Sequence, residues 1–489
     1  MIVKNEASHL PECLESVKGL ADEIIIVDTG STDRTCEIAR GFGAKVHSFA
    51  WVDDFSAARN EALRLAAGEW IFWLDADDRV EEGDLERIRT LMNIPDAKQV
   101  AFVMQCMSLV GDAPDSAPVQ TSHIRLFPNI PNVRWTGRVH EQVDLRQSNC
   151  SVCWTDVVIR HVGYEEVSSF QQKRERNLRL LNLNYLLNPD DPDTLFYLGR
   201  AHLNGGHFEE AWPYFVRCAQ RTGDSPARER KLYALQVQCL SKMGRKEDAL
   251  RQTVWGLSYF PDDLELRFEQ AVLYCELGRP LDAELCLREL LALSPSNYMR
   301  IGVSEEQIRM QARYLLGMAL GDQGRLDEAE QLFLAALVVP CGRLPGLRGL
   351  GYIALLKRQS NRLTEIIRQL RDLPGGQVHA AVMEAEWYRM SGQFATARAL
   401  LTEAIRQNPR EMWPRLVLSE VLRQEGTDRQ AFIEAQYDIL ALDPGNADAR
   451  QRLQVLLAQS PPAPRPEPVK RPQLTEQDTV MAYTVVAAR

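Results

Sequence analysis

WIFWLDADD, residues 70–78, runs an unbroken apolar stretch from Trp70 to Leu74 straight into Asp75, Asp77 and Asp78, with only Ala76 between them. A short, continuous apolar run after the turn-like pair Gly68 and Glu69 reads as a strand buried on both faces. The acids then lie at its carboxyl end. In an open α/β sheet that edge is where ligands bind, and two carboxylates one residue apart on a tight turn can hold a hard divalent cation. Glu81, Glu82 and Asp84 precede the helical pattern LERIRTLM and are explained by the helix dipole alone. Asp75 and Asp77 lie too close to the strand for that, which leaves them a metal or nucleotide role.

The surrounding chain has 489 residues, room for about two to four domains. Its 45% hydrophobic and 25% charged content is that of an ordinary globular protein, and a formal charge of -10 with no basic run argues against a nucleic-acid partner. The opening MIVKNEASHL places Lys4 and Glu6 where a secretory signal needs an apolar core, and no segment approaches the apolar length of a membrane span. A cytoplasmic location is expected. The ten cysteines are scattered, mostly on helical apolar faces, and Cys150 and Cys153 form a lone CxxC with no second pair to complete a zinc site.

Two unlike halves follow one another. Up to about residue 165, apolar runs alternate with helical patterns (MIV, LPECLESVKGL; EIIIV, RTCEIARGFG; KVHSF, FSAARNEALRLAAG; WIFWL, LERIRTLM; VAFVM), the rhythm of a parallel-containing α/β sheet. The opening strand, Met1 to Val3, is short enough that a truncated start or a frayed strand is expected. From about residue 190 the strands vanish and a period appears. Ala249 and Ala283, Pro261 and Pro295, Gly317 and Gly351, Pro340 and Pro374, and Ala397 and Ala431 are each 34 residues apart. That is the spacing of a repeat of two antiparallel helices. About seven units are expected: 192–225, 230–263, 264–297, 310–343, 344–377, 378–411 and a degenerate one from 412, with a loop inserted around SPSNYMRIGVSEEQ. After residue 459, SPPAPRPEPVKRP carries six prolines and reads as an extended, disordered linker.

LGRAHLNGGHFEEAWPYF (198–215) and LGMALGDQGRLDEAEQLF (316–333) resemble the tetratricopeptide signature, in which small residues let paired helices approach. MIVKNE, EIIIVDTGSTDRT, FSAARNEAL and WIFWLDADD, in that order, resemble the family-2 glycosyltransferases of the GT-A fold over residues 1–165. The expected fold is thus an α/β GT-A-like nucleotide-sugar-binding domain (1–165), a helical connector (166–190), an all-α tetratricopeptide solenoid (191–459) and a Pro-rich tail (460–489). The resemblance implies sugar transfer from a nucleotide diphosphate-sugar donor with a divalent metal, Mn2+ or Mg2+, at the acidic motif.

Residue by residue, Asp28 ends the strand Glu23–Val27 at the same sheet edge, where a carboxylate can accept from a base or ribose, with Gly30 as the close-approach residue. Ser31 or Asp33 reads as a helix cap instead. Many relatives carry a second aspartate where Thr29 stands, so the base is less determined here. The resemblance sets Arg59, in AARNEALRLAA, against the donor; Asn5, past the first strand, is a similar case. It also makes Asp77 the direct metal ligand and gives Asp75 the donor sugar or ribose. A sparse acidic motif suits magnesium or manganese, whose other ligands are phosphate oxygens and water.

HIRLFPN (123–129) and WTGRVHEQVD (135–144) resemble the segment closing the acceptor pocket, where a His-Glu pair recurs. An attacking hydroxyl must lose its proton, for which Glu141 is the expected base and Asp144 and Asp156 are rivals. His140 orients Glu141 or points away. His161, in IRHVGY, reaches the metal or diphosphate in relatives, although a lone histidine after a strand is more often structural. One base and no evident nucleophile suggest single displacement with inversion. The expected protein is a metal-dependent inverting glycosyltransferase whose repeats recruit a protein, peptide or glycan acceptor. The alternative is a repeat scaffold with an inactive transferase-like domain; a nucleotidyltransferase would want a glycine- and lysine-rich phosphate loop near the first strand.

Overall fold

The alternating apolar runs of the first half close into two sheets, and the later period closes into helix pairs, in a computed structural model. It describes residues 1–94, 99–108, 119–162, 167–221, 225–294, 305–338, 342–443 and 445–458. The Pro-rich tail and most of the expected insertion around SPSNYMRIGVSEEQ lie outside the described residues. Nearly all described residues fall into two compact units that divide between Leu232 and Tyr233.

The first unit contains β1 (Ile2–Val3), α1 (Leu10–Ser16), β2 (Ile25–Asp28), α2 (Thr35–Gly41), β3 (Lys45–Ser48), α3 (Phe55–Leu65), β4 (Trp70–Phe72), β5 (Asp78–Val80) and α4 (Glu82–Met92). β6 (Val100–Ser108), β7 (Val119–Pro128), β8 (Arg134–Thr136), β9 (Gln142–Asp144), β10 (Ser151–His161), α5 (Val167–Leu187), α6 (Pro192–Asn204) and α7 (Phe208–Ala219) follow. β1, β2 and β3 form a parallel sheet in that order; a mixed sheet runs β4-β7-β6-β10-β5, and β8 pairs with β9. The opening strand is two residues long, with Val3 buried and Thr29 donating its backbone N–H to the Val3 carbonyl.

The expectation of a strand buried on both faces over Trp70–Leu74 is corrected. β4 is an edge strand whose hydrogen-bonded neighbour is the antiparallel β7, and its three residues are half-buried. The burial falls on Trp73 and Leu74, just past it. An apolar run alone does not say whether a strand has one neighbour or two. The turn that follows carries the acids, and Asp78 already belongs to β5.

The core around Leu74, Ile88, Phe102, Met104, Leu126 and Ile159 lies under the mixed sheet. A second cluster joins Val139, just before β9, to Leu180 and Leu181 of α5 and Leu198 of α6. The first helix pair therefore shares a core with the α/β elements. Its two helices meet closely because Gly199 has no side chain: a Cβ there would lie 2.5 Å from the Phe215 ring.

The second unit takes most of α8 (Pro226–Lys242), then α9 (Lys246–Tyr259), α10 (Leu264–Glu276), α11 (Pro280–Ala292), α12 (Glu305–Asp322), α13 (Leu326–Ala336) and α14 (Arg343–Leu356). It ends with α15 (Ser360–Arg371), α16 (Gly376–Met390), α17 (Phe394–Gln407), α18 (Trp413–Glu425), α19 (Arg429–Leu442) and α20 (Ala447–Ala458). From α13 to α20 each helix packs on the next, and α14 also packs on α16 and α16 on α18, so that alternate helices share a face. Small residues at the helix contacts underlie the period. Ala249, Ala283, Ala329 and Ala397 are fully buried, and Gly317 faces Phe333 as Gly199 faces Phe215. Among the described residues no helix is long and apolar enough to cross a membrane.

Candidate functional site

The turn Asp75–Asp78 is held by its own last carboxylate. Asp78, fully buried, accepts the Asp75 backbone N–H at 2.8 Å through Oδ2. The same oxygen accepts from Arg125 Nη1 at 2.8 Å, while Oδ1 lies 3.0 Å from His161 Nδ1. Arg125 comes from β7, its guanidinium 3.7 Å above the Trp73 ring with Nη2 donating to Cys106 Sγ at 2.8 Å. β5, β7 and β10 are thus tied by one charged chain at the edge where the acids emerge. A buried charge is tolerable there because each is paired and hydrogen-bonded.

Arg59 joins the remaining carboxylates. α3 is capped by Asp54, which accepts the Ala57 N–H at 3.0 Å, and its inner face presents Arg59, 8% exposed. Nη2 donates to Asp75 Oδ1 at 2.8 Å and Nε to Glu141 Oε1 at 2.6 Å. Trp73 and Trp135 lie beneath the guanidinium at 4.4 and 4.9 Å. Burial alone would raise the Asp75 carboxyl, but the Arg59 and Arg125 charges outweigh it and hold the group well below the usual carboxylate range.

Asp77 behaves in the opposite way. Burial, with the nearby Asp75 and Asp78 charges, raises its carboxyl against the opposing pull of His161. Burial lowers the His161 imidazole, yet its hydrogen bond to Asp78 and the Asp77 charge raise it on balance. Ligand atoms of Asp77, Asp78 and His161 lie within 4.8 Å of one another. His161 Nδ1 faces both acids, 3.0 Å from Asp78 Oδ1 and 3.4 Å from Asp77 Oδ1, and hydrogen bonding to a carboxylate is what orients a ligating histidine. A desolvated carboxylate next to an oriented imidazole fits a divalent cation.

The remaining predicted residues separate into those at this cluster and those beside it. Asp28 turns back on its own loop, accepting from the N–H of Ser31 at 3.0 Å and of Gly30 at 3.3 Å. Gly30, at φ +108°, takes a backbone shape closed to side chains, and the space where a Cβ would project is open. Asn5 accepts the Thr32 N–H at 2.8 Å, locking the loop after β1 to the loop after β2. At the start of α2 it is Asp33 that accepts from the Thr35 N–H, at 3.0 Å.

His140, at φ +56°, reverses the chain so that its ring stacks on Tyr197 at 4.0 Å while Glu141 meets Arg59. The rival bases are engaged elsewhere: Asp144 with Arg146 at 2.9 Å, and the well-exposed Asp156 with Arg87 at 3.8 Å. Three residues join the site that motif reading did not single out, Asp78, Arg125 and Glu6. Burial, then the Asp77 charge, pushes the Glu6 carboxyl up to about 7. An arginine inside the apolar strand pattern HIRLF was the available signal for Arg125.

Comparison with known proteins agrees with the motifs. Residues 1–117 match the family described as glycosyl transferase family 2, and residues 310–335 match the tetratricopeptide repeat. A TPR repeat-containing protein of Synechococcus elongatus is 36% identical over 237 residues, 46% of this chain and 57% of that protein. The SPbeta prophage-derived glycosyltransferase SunS of Bacillus subtilis is 30% identical over 211 residues, 41% of this chain and 47% of its own length. The chain therefore spans about half the length of the curated relatives it matches. Among solved structures, a tetratricopeptide repeat protein from Parabacteroides merdae aligns with TM-score 0.42 at 14% identity, covering 54% of this chain and 98% of that one. The resemblance to family-2 glycosyltransferases with tetratricopeptide repeats, read from the motifs, stands.

Proposed function

We propose that the chain is a metal-dependent inverting glycosyltransferase that moves a sugar from a nucleotide diphosphate donor to an acceptor recruited by the helical repeats. The observation that carries the reading is the convergence of Asp75, Asp77, Asp78, His161, Arg59 and Glu141 at one sheet edge. Asp77 and His161 would hold the cation, with Asp78 orienting the imidazole. When bound, the cation would stabilise the charge developing on the departing diphosphate.

The chain's own residues supply the rest. Asp28 and the open side of Gly30 face the nucleoside, and Asp75, fixed by Arg59, contacts the donor sugar or ribose. Arg59 acts as a positioning residue, since its guanidinium is engaged by the two carboxylates. The acceptor oxygen attacks the anomeric carbon as the bond to the diphosphate oxygen breaks, and its proton passes to Glu141. One displacement inverts the anomeric centre.

The test is nucleotide release from a panel of sugar nucleotides with and without manganese. Metal-dependent release with one or a few donors is expected. Absence of both donor binding and release would remove the enzymatic reading and leave a repeat scaffold.

A further inference from the structure

Most arginines near the sheet edge of the first unit are matched by acids: Arg59 by Asp75 and Glu141, Arg125 by Asp78, Arg179 by Asp53 and Arg217 by Asp190. Two are not. Among the described residues, Arg176 on α5 and Arg200 on α6 make no ion pair. Arg176 donates through Nε and Nη2 to the amide oxygen of its neighbour Asn177, at 3.2 and 3.1 Å, which supplies no charge.

Both helices present these cations to one place. Lys173, Arg176 and Leu180 are three and four residues apart and so share a side of α5. Leu180 is fully buried with Val139 and Leu198, so the side of α5 that is apolar there turns basic a turn earlier. Arg176 Cζ lies 4.9 Å from the Phe55 ring, and its charge reaches Glu141 and His140. On α6, Tyr197 and Arg200 are three apart; Tyr197 stacks on His140 at 4.0 Å, and the Arg200 charge reaches both rings. His140 and Arg176 are exposed, yet desolvation is the main cause lowering each, His140 to about 4. Side chains that water reaches while protein surrounds them line a recess.

We propose that Arg176 and Arg200, flanking the His140–Tyr197 stack, bind a phosphate group of the acceptor, which makes the acceptor a phosphorylated sugar. The donor diphosphate belongs to the cation at Asp77 and His161, whereas Arg176 and Arg200 stand at Glu141 and His140, where the acceptor arrives. Guanidiniums coming from two helices suit a tetrahedral phosphate, whose oxygens point in several directions; a planar carboxylate is filled by a single fork. The exposed His140 ring and Phe55 give the sugar apolar contacts beside those charges. The phosphate takes no part in bond making. A hydroxyl of the same sugar bonds to the anomeric carbon, the nucleotide diphosphate leaves with the bonding pair, and the hydroxyl proton passes to Glu141. The acceptor role rests on the transferase reading, but the phosphate site does not.

The experiment titrates the full chain calorimetrically, without donor or metal, with the 6-phosphates of glucose, mannose and N-acetylglucosamine, their parent sugars, glucuronate and a phosphoserine peptide. At least one sugar phosphate should bind about tenfold tighter than its parent and than glucuronate, as charge-assisted hydrogen bonds require. Arg176→Met and Arg200→Met should each remove most of that advantage, and Arg176→Lys, which keeps charge without the fork, should retain part of it. Arg176 is exposed, so its variants test the site even where Arg200→Met fails to fold. Nucleotide release, followed separately with donor and manganese, should be stimulated by the bound sugar phosphate and not by its parent. Sugar-phosphate binding with no nucleotide release from any donor would sink the transferase reading and leave the phosphate site. Equal binding of phosphates and parent sugars, an unchanged advantage in folded Arg176→Met, or tighter binding of glucuronate or of the phosphoserine peptide would each overturn the assignment, whatever the release assay shows.

Discussion

Replacing Arg59 by Met removes a guanidinium that spans two carboxylates while keeping an unbranched side chain between Trp73 and Trp135. The cost follows from what remains. Breaking a buried ion pair by deleting one partner typically costs about 3–5 kcal/mol, because the other charge is left uncompensated. Here two charges lose Arg59, but unequally: the Glu141 side chain is 12% exposed, while Asp75 is 33% exposed, can regain water and keeps Arg125 at 3.9 Å. The loss therefore belongs at the low end, about 3 kcal/mol. That corresponds to a roughly 150-fold faster exchange of amides that open with this core. Hydrogen exchange of the full chain, read on peptides covering β4 and β7, measures it locally without requiring one transition for two units. Adding Glu141→Gln removes one stranded charge and should return about 1–2 kcal/mol. Exchange changed less than fivefold by Arg59→Met, or a double variant with no recovery, would show that the two ion pairs do not hold the site together.

Four further outcomes are expected. Asp77→Asn should abolish manganese binding measured calorimetrically in the presence of nucleotide diphosphate, because an amide cannot supply the charge a hard cation requires; retained affinity would move the ligand elsewhere. Glu141→Gln should leave donor affinity nearly unchanged and lower single-turnover transfer roughly 10²- to 10⁴-fold, and near-normal transfer would remove it as the base. Gly317→Val should destabilise its helix pair by about 1–3 kcal/mol through overpacking, since a Cβ there would lie 2.6 Å from the Phe333 ring, and unchanged exchange in α12 and α13 would contradict that contact. His379 has its pKa lowered by burial, so below about pH 6.5 the unfolded chain takes up a proton that the folded chain refuses. The stability of the α16 region should then be full above pH 6.5 and fall by up to about 1.4 kcal/mol per pH unit below it, a slope that His379→Gln removes; a slope of opposite sign would refute the assignment.

What the sequence made legible was whatever a short-range pattern encodes. Asp75, Asp77, Arg59 and Glu141 stand in ordered motifs beside strands and a helix, and the structure brings Arg59 within hydrogen-bond reach of two of the others. The helix pairs were legible because small residues recur at a fixed period where paired helices approach, as Gly199 meets Phe215 and Gly317 meets Phe333. Asp78 and Arg125 were not. They are 47 residues apart, and only the pairing of β7 with β4 sets the arginine over Trp73 and within reach of the turn. Asp78 also looks like one more acid before a helix, and its burial is decided by β5 joining β10. Arg176 and Arg200 read as ordinary polar positions on amphipathic helices, since periodicity marks which residues are apolar and says nothing about a charge lacking a counter-charge.

The pairing of Glu141 with Arg59 also bears on how the proposed transfer divides its work. Glu141 Oε1 accepts from the buried Arg59 guanidinium at 2.6 Å, which fixes where a base placed there stands. In the proposed transfer the proton of the attacking hydroxyl would pass to a carboxylate already held in place. The charge of the departing diphosphate would be met on the other side, where Asp77 is desolvated and His161 Nδ1 lies 3.0 Å from Asp78. Arg59 couples the two ends, because the same guanidinium that restrains Glu141 also fixes Asp75 beside the donor. Any movement of Glu141 toward an acceptor loosens its bond to Arg59 and leaves that charge to Asp75, so engagement of the acceptor tightens the donor side of the site.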